Sequence, residues 1–355
     1  MDFDFSPDQY TLRDEARRFL EQQCPTSHVR EFIDDSTGWS RDLWKRMSDL
    51  GWMALPFPED VGGLGQSFLD LVLLLGELGR AIAPVPFLSS IAQAGQVILR
   101  HGTDEQKKKY LPAIADGERI ATVVINQRTL TGEGVDAPSG ALTGTHEIVL
   151  DAPAADLFVV AATQGGESAW FVVDEGATVA PKRGFDLTRP IGSVSFDKTP
   201  ADQLTGTPGM DEGLRVCIAA ACAEMIGSAE KVLDLTVSYT KEREQFGRPI
   251  GSFQAIKHKC AEMLADLEPS RSAAYYACWA AATNAEDAEL AVSVAKSFGS
   301  EALAHVADEG VQVHGGIAFT WEHDMHLFQK RIKSMQALFG DEADHRERIA
   351  KLAGL

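Results

Sequence analysis

At 355 residues the chain exceeds the size at which one hydrophobic core keeps growing, so two or three subdomains packed into one body are expected. Fifty-two Asp and Glu against 33 Lys and Arg give a net charge of -19, which repels polyanions and argues against nucleic acid as a partner. A phosphate-bearing cofactor would need a local cluster of cations and backbone N–H groups inside that acidic envelope.

Five cysteines, Cys24, Cys217, Cys222, Cys260 and Cys278, are odd in number and lack CxxC spacing, which fits a reducing cytoplasm. The opening Met-Asp-Phe-Asp-Phe has neither the basic nor the apolar region of a secretory signal. The most apolar run, Phe68 to Leu78, is interrupted by Asp70 and Glu77 and followed by Arg80, so it reads as a core helix and no membrane insertion is expected.

In chain order, Ser6-Pro7 predicts a helix start as N-cap and N1, and Ser40 precedes an amphipathic segment with Leu43, Trp44, Met47 and Leu50 on one face. Gly51, Pro56 and Pro58 stop that helix, and Gly62-Gly63-Leu-Gly65 turns the chain into the Phe68 helix. Thr103-Asp-Glu-Gln106 is a capping box. From Ile120 to about Asp202 short β-branched runs dominate: Ala121 to Ile125, Leu157 to Val160 and Trp170 to Val173. Long Ala-rich segments then return at roughly 211 to 243, 253 to 282, 285 to 313 and 325 to 353, enough for an antiparallel four-helix bundle. The fold class is α+β and mostly helical, with a helical domain at 1–118, a β domain at 119–205 and a bundle at 206–355.

Two segments invite a ligand. A helix ending in Tyr239-Thr-Lys-Glu-Arg243 is expected to meet a left-handed cap at Gly247, with Pro249 preventing its continuation. Arg243 would then lie in the last turn, its planar fork able to reach a pyrophosphate, with Phe246 offering an aromatic face and Gln254 an amide at the next helix start. The same residues suit a structural role, Arg243 on the helix dipole and Phe246 in the core. Gln312-Val-His-Gly315-Gly316 ends the third long helix, where the glycines would serve either as a cap or as a close-approach point for a phosphate.

The chain resembles the acyl-CoA dehydrogenase family over essentially its full length. The resemblance rests on ordered matches: Leu43-Trp44 with Leu50-Gly51-Trp52, Pro58-Glu59 with the glycine turn, Glu77-Leu-Gly-Arg80, Glu105-Gln106-Lys107, Tyr110-Leu-Pro112, Gly117-Glu118, Gly144, Ala155-Asp156, Asp186-Leu-Thr-Arg189, Arg243 with Gln245-Phe-Gly247 and Phe253-Gln254, and Gln312 with Gly315-Gly316. It implies an N-terminal helical domain, a middle β-barrel-like domain and a C-terminal four-helix bundle, assembled as a tetramer that binds FAD across a subunit interface. Arg243, Phe246, Gln254, Gln312, Gly315 and Gly316 match the residues that contact the ADP part of FAD. An acyl-CoA substrate and an electron acceptor such as electron-transfer flavoprotein are further implications. In the family a Glu takes the α-proton while hydride leaves the β-carbon, a task suited to a carboxylate in a desolvated pocket.

Three departures stand out. Aligning Gln336 and Gly340 with the family places Phe339 at the usual catalytic Glu, and Phe accepts no proton. The alternative family position, near the start of the first bundle helix, reads Gly213-Leu-Arg-Val-Cys217. The loops expected to cover the isoalloxazine read Ile125-Asn126-Gln127 and Glu147-Ile148-Val149. Replacement bases are weak: Glu224, offset by more than a helical turn, reads as a structural ion pair, while Asp341 and Glu342 flank Phe339 but point elsewhere. His323, Asp324 and His326 lack a further metal ligand, and Lys107-Lys108-Lys109 reads as a solvated face. The expected roles are an acyl-CoA dehydrogenase in a homotetramer, the base-less partner in a heterotetramer with a paralogous subunit, or a non-catalytic assembly protein.

Overall fold

The computed structural model describes residues 5–35 and 37–355; the first four residues, on which part of the N-terminal reading rests, lie outside the described residues. The chain opens with helices α1 (Pro7–Gln23), α2 (Thr26–Glu31), α3 (Arg41–Asp49) and α4 (Phe68–Arg80), then a π-helical stretch, Leu88–Ala94, that runs into α5 (Gly95–His101), and α6 (Asp104–Ala115). Ser6, Ser40, Ser67 and Thr103 each cap their helix through a side-chain oxygen, and three of the four close a full capping box.

The strands are β1 (Ala121–Val124), β2 (Val135–Asp136), β3 (Ala141–Leu150), β4 (Leu157–Gln164), β5 (Glu167–Val173), β6 (Thr178–Lys182), β7 (Ile191–Pro200) and β8 (Asp202–Gln203). They form one curled sheet in the order β6-β7-β3-β2-β4-β5-β8, with β1 parallel to the first half of β4. Side-chain alternation shows how the sheet joins the helices. Leu157, Val159 and Ala161 of β4 and Trp170 and Val172 of β5 enter the large helical core, while Phe158, Val160, Ala162, Phe171 and Val173 enter the sheet's own core. A strand buried on both faces reads as an uninterrupted apolar run. β3, β6 and β7, which carry polar side chains on a solvent face, gave no such run.

The last third holds α7 (Asp211–Glu242), α8 (Gln254–Thr283), α9 (Ala288–His314), α10 (Met325–Ala337) and α11 (Glu342–Leu352). The expected continuous helix from 325 to 353 is therefore corrected to two. The break has a cause in the backbone: Phe339 and Gly340 both take positive φ, 58° and 83°, and Asp341 starts α11 with a capping box. α4 lies against α7 at backbone contact, since a Cβ at Gly227 would sit 1.7 Å from the Gly76 carbonyl oxygen and one at Gly79 would sit 2.0 Å from that of Glu224. This contact fixes the depth at which Glu224 enters the core.

Candidate functional site

At the C-terminal end of α7 the helix stops at Glu242, and Arg243 is its C-cap with extended backbone. The expected left-handed cap at Gly247 is a correction: Glu244–Gln245 pairs with Arg248–Pro249 in a tight hairpin, and Phe246 and Gly247 are its two positive-φ turn residues. Ile250 N–H bonds the Arg243 carbonyl at 2.7 Å and closes the hairpin onto the helix end. The Phe246 ring is not in the core; it is 93 % exposed and edge-on to Phe253 at 6.1 Å. Arg248 lies over the Phe253 ring at 4.1 Å, and Gln254 follows as the first residue of α8.

The two ligand-like segments meet through residues that sequence reading passed over. The Tyr239 ring stacks on His314 at 4.3 Å, and its hydroxyl donates to the His314 carbonyl at 3.4 Å. Arg243 is thus one turn beyond Tyr239, and Gln312 and Gly315 flank His314. Arg243, Phe246, Gln254, Gln312 and Gly316 are exposed. Among the described residues, no side-chain hydrogen bond or ion pair engages Arg243, Gln254 or Gln312. Gly315 takes φ 68° and ψ -148°, a conformation essentially confined to glycine. Gly316 needs no such exemption, yet a Cβ on either would meet nothing within 4 Å. The surface there is an open cradle of one guanidinium, two amides, an exposed aromatic ring and bare backbone, a donor set suited to a pyrophosphate and a flat base.

The opposite end of α7 is filled. His101 Nδ1–H donates to the Thr207 carbonyl at 3.0 Å and its Nε2 accepts the Gly213 N–H at 3.0 Å, so the ring is neutral, and burial lowers its pKa. Gln93 Nε2 donates to the Cys217 carbonyl at 3.1 Å. A Cβ at Gly213 would already crowd the His101 ring at 3.0 Å. The π-helical stretch and α5 are thereby packed onto α7, with His101, Gln93, Gly213 and Cys217 all buried.

Phe339 is 2 % exposed and doubly anchored: its N–H donates to Gln127 Oε1 at 2.8 Å, and its carbonyl accepts from His345 Nε2 at 2.8 Å. Burial pushes His345 down to about 4. Lys296 Nζ, buried, donates to the carbonyls of Met335 and Gln336 at 3.0 and 2.7 Å and so caps α10; burial lowers it to about 8. Asp341 spends its Oδ1 on Ala343 N and Asp344 N, bonds that hold its pKa low. Glu342 Oε2 accepts from Gln336 at 3.4 Å. Glu147 and Ile148 lie exposed on β3, Glu147 paired with Lys182.

Glu224, 1 % exposed, accepts from two guanidinium groups, Arg189 Nη2 at 2.5 Å and Arg331 Nη1 at 2.8 Å. Arg331, fully buried, also donates to Asp186 at 2.5 Å and Thr188 Oγ1 at 2.7 Å. Asp151, bonded by Ser89 at 2.6 Å, is pushed up to about 6 by burial, partly offset by Arg189. Hydrogen bonds therefore tie α7 and α10 to the 186–189 loop, and Asp151, which feels the Arg189 charge without bonding it, carries the contact on to Ser89. The signal for this network was Arg331 itself, a cation among Leu327, Phe328, Ile332 and Met335 on the buried face of α10.

Elsewhere, Asp324 is taken by Arg30 and Thr26, His323 Nδ1 accepts the Met325 N–H, and His326 donates to the Trp321 carbonyl. No cluster of three metal-competent side chains occurs among the described residues. Nor is any helix there long and apolar enough to cross a membrane. Lys107 and Lys109 face Asp104 and Asp202.

Helices, a curled sheet, then a long-helix bundle with an exposed patch of polar and aromatic groups at its end define a flavoprotein dehydrogenase architecture. Residues 6–118 match the model of the acyl-CoA dehydrogenase N-terminal domain and residues 206–353 that of the C-terminal domain. The chain is 33% identical to acyl-CoA dehydrogenase IpdE2 of Mycolicibacterium smegmatis over 97% of this chain and 98% of that one. It is 34% identical to IpdE2 of Mycobacterium tuberculosis, over 90% and 89%. It superposes on the ChsE4-ChsE5 complex from Mycobacterium tuberculosis with TM-score 0.93 and 28% identity over 100% and 99% of the chains, and on the Tcur3481-Tcur3483 steroid ACAD G363A variant with TM-score 0.92 and 29% identity over 98% of each. The chain belongs to the acyl-CoA dehydrogenase family, whose members are flavoproteins with FAD as cofactor.

Proposed function

We propose that this chain is the base-less subunit of a mixed acyl-CoA dehydrogenase assembly, supplying the ADP-side contacts of an FAD whose ring, and the catalytic carboxylate beside it, are held by a paralogous subunit. The observation that carries this is the state of the two ends of α7. One end presents Arg243, Phe246, Gln254, Gln312 and Gly316 open to solvent, with Gly315 half-buried among them. The other is closed by His101 and Gln93, and α10, running back along α7 from Phe328 beside Leu235 past the Arg331–Glu224 pair, brings Phe339 toward it. A 32-residue helix is about 48 Å long, further than one dinucleotide reaches. The open half thus serves a flavin whose ring lies in another chain.

In this reading Arg243 pairs with the pyrophosphate through its fork, Phe246 offers its face to the adenosine, and Gln254 and Gln312 donate amides. Gly315 and Gly316 let the ligand approach the backbone. When bound, FAD accepts the hydride equivalent that leaves the acyl β-carbon. The α-proton goes to the partner's carboxylate, because this chain offers none: Glu224 is locked between two arginines and Asp341 is a helix cap. The paired names of the ChsE4-ChsE5 and Tcur3481-Tcur3483 relatives support a two-chain assembly, and the steroid label of the latter supports a bulky, steroid-derived acyl-CoA as substrate. Electron-transfer flavoprotein is the acceptor that fits the family.

The test is the flavin content of the chain purified alone and with a co-expressed paralogue. A colourless chain that acquires flavin and acyl-CoA turnover only in the mixed assembly is the expected result. Near-full flavin in the isolated chain, bleached by acyl-CoA, would instead establish a self-sufficient homotetrameric dehydrogenase with another base. Flavin-free mixed assemblies would leave a purely structural subunit.

A further inference from the structure

A cavity of about 280 Å³ opens between α1, α4, α7 and the start of α10, its lining on α7 reaching Leu235, one turn short of Tyr239. Its wall is divided. Leu20, Pro25, Ala81, Leu235 and Phe328 form an apolar side, and Arg17, Arg80 and Lys231 bring three cations to the other. The volume is many times the roughly 10–15 Å³ that one water needs and lies at the small end of ligand pockets.

The three cations face three carboxylates of the lining, Glu21, Glu77 and Asp324, and Glu230 and Asp234 pair with Arg17 and Arg80 from just outside it, yet two cationic groups keep no hydrogen-bond partner. Glu77 is held bidentately by Arg17 at 2.7 and 2.9 Å, and Asp324 is occupied by Arg30 and Thr26. Glu21, the remaining carboxylate of the lining, is exposed. Arg80 gives Nη2 to Asp234 at 2.5 Å, but its buried Nη1, though 3.4 Å from Glu230, makes no hydrogen bond. Lys231 is half-buried and, among the described residues, has neither ion pair nor hydrogen bond. Burial lowers its pKa and the neighbouring Arg80 lowers it further, while Glu21 and Asp234 offset part of that. An ammonium in that position, between two guanidinium groups and unpaired, is stabilised by an anion that enters the cavity.

We propose that this cavity is a binding site for a small aliphatic carboxylate, its head group on Lys231 and Arg80 Nη1 and its hydrocarbon chain on Leu20, Leu235 and Phe328. The apolar side selects a carboxylate bearing a chain over a bare oxyanion, because each buried methylene adds about 0.8 kcal/mol of transfer free energy. The site is independent of the flavin reading, since none of its residues belongs to the cradle at Arg243.

The experiment is calorimetric titration of the full chain, in its native assembly, with hexanoate and separately with inorganic phosphate. Saturable hexanoate binding at one site per chain is expected, with phosphate about tenfold weaker or worse. Lys231→Gln should weaken hexanoate about tenfold or more, the size of a lost charge-assisted hydrogen bond, and Leu235→Trp, which fills the apolar side, should abolish it. Flavin content and melting temperature of each variant report that the assembly is intact. No saturable heat up to about 10 mM, well above a millimolar Kd, would overturn the proposal. So would phosphate binding as tightly as hexanoate, or unchanged hexanoate binding in an intact Lys231→Gln protein.

Discussion

Replacing Glu224 by Gln separates a structural carboxylate from a catalytic one. In the native chain Glu224 Oε1 accepts from both Arg189 and Arg331, so the change removes the negative charge shared by two buried guanidinium groups while keeping the side-chain shape. Arg331 retains Asp186 and Thr188, but Arg189, whose Nη1 already lacks a partner, loses its ion pair. Removing one partner of a buried pair costs about 3–5 kcal/mol. At about 2 °C per kcal/mol, the low end of the range for larger chains, the melting temperature should fall by roughly 6–10 °C. Exchanging the pair for apolar side chains in Arg189→Met/Glu224→Met should recover part of the loss, because the desolvation cost of both ions disappears. Thermal melts of the assembly, read beside turnover per folded protein, make the comparison. A Glu224→Gln protein that melts like wild type but has lost turnover would refute the structural assignment and make Glu224 the base.

Arg243→Ala should leave the melt of the isolated chain within about 0.5 kcal/mol, as expected of an exposed side chain with no intrachain bond, and should strip flavin from the mixed assembly, read by visible absorbance. His345→Gln tests the Phe339 turn by pH. The folded-state pKa of His345, about 4, lies below its usual 6.5, so the folded chain binds fewer protons in that window and loses stability as pH falls through it. Gln can still donate to the Phe339 carbonyl but does not titrate, so the variant's urea midpoint should fall less than that of wild type between pH 7 and pH 4.5. Phe339→Glu should not confer turnover on the chain alone, since the new carboxylate enters a buried, packed position; acyl-CoA bleaching of flavin in that variant would show an open ring site.

Much of the architecture was legible because its signals are local. Ser6, Ser40 and Thr103 announced helix starts, and the doubly buried β4 and β5 stood out as apolar runs. The strands with one wet face, β3, β6 and β7, carried weaker patterns. The break at Phe339 was illegible for a different reason. A left-handed Phe is intrinsically disfavoured, and it persists here through Gln127 and His345, which are 212 and 6 residues away. The Phe246-Gly247 turn escaped notice likewise, since hairpin turns of this kind usually announce themselves with Asn or Asp before the glycine. Glu224 was readable as an ion-pair member, but its arginines, 35 residues upstream and 107 downstream, follow from tertiary packing alone.

The same packing explains how one end of the bundle can be closed while the other stays open. The cradle at Arg243 depends on contacts confined to one end of the bundle: the hairpin closed by Ile250, the Tyr239–His314 stack and the Gly315 backbone. The Phe339 end depends on another set, Gln127, His345 and Lys296, together with the seam between α5 and α7. Between them lies the Glu224–Arg331 network, which holds α7 and α10 to the 186–189 loop that leads into β7. Substitutions at well-separated sites with no shared partners act additively. A bulky apolar residue at 339 therefore seals its own end, and the exposed geometry around Arg243 is left as it was.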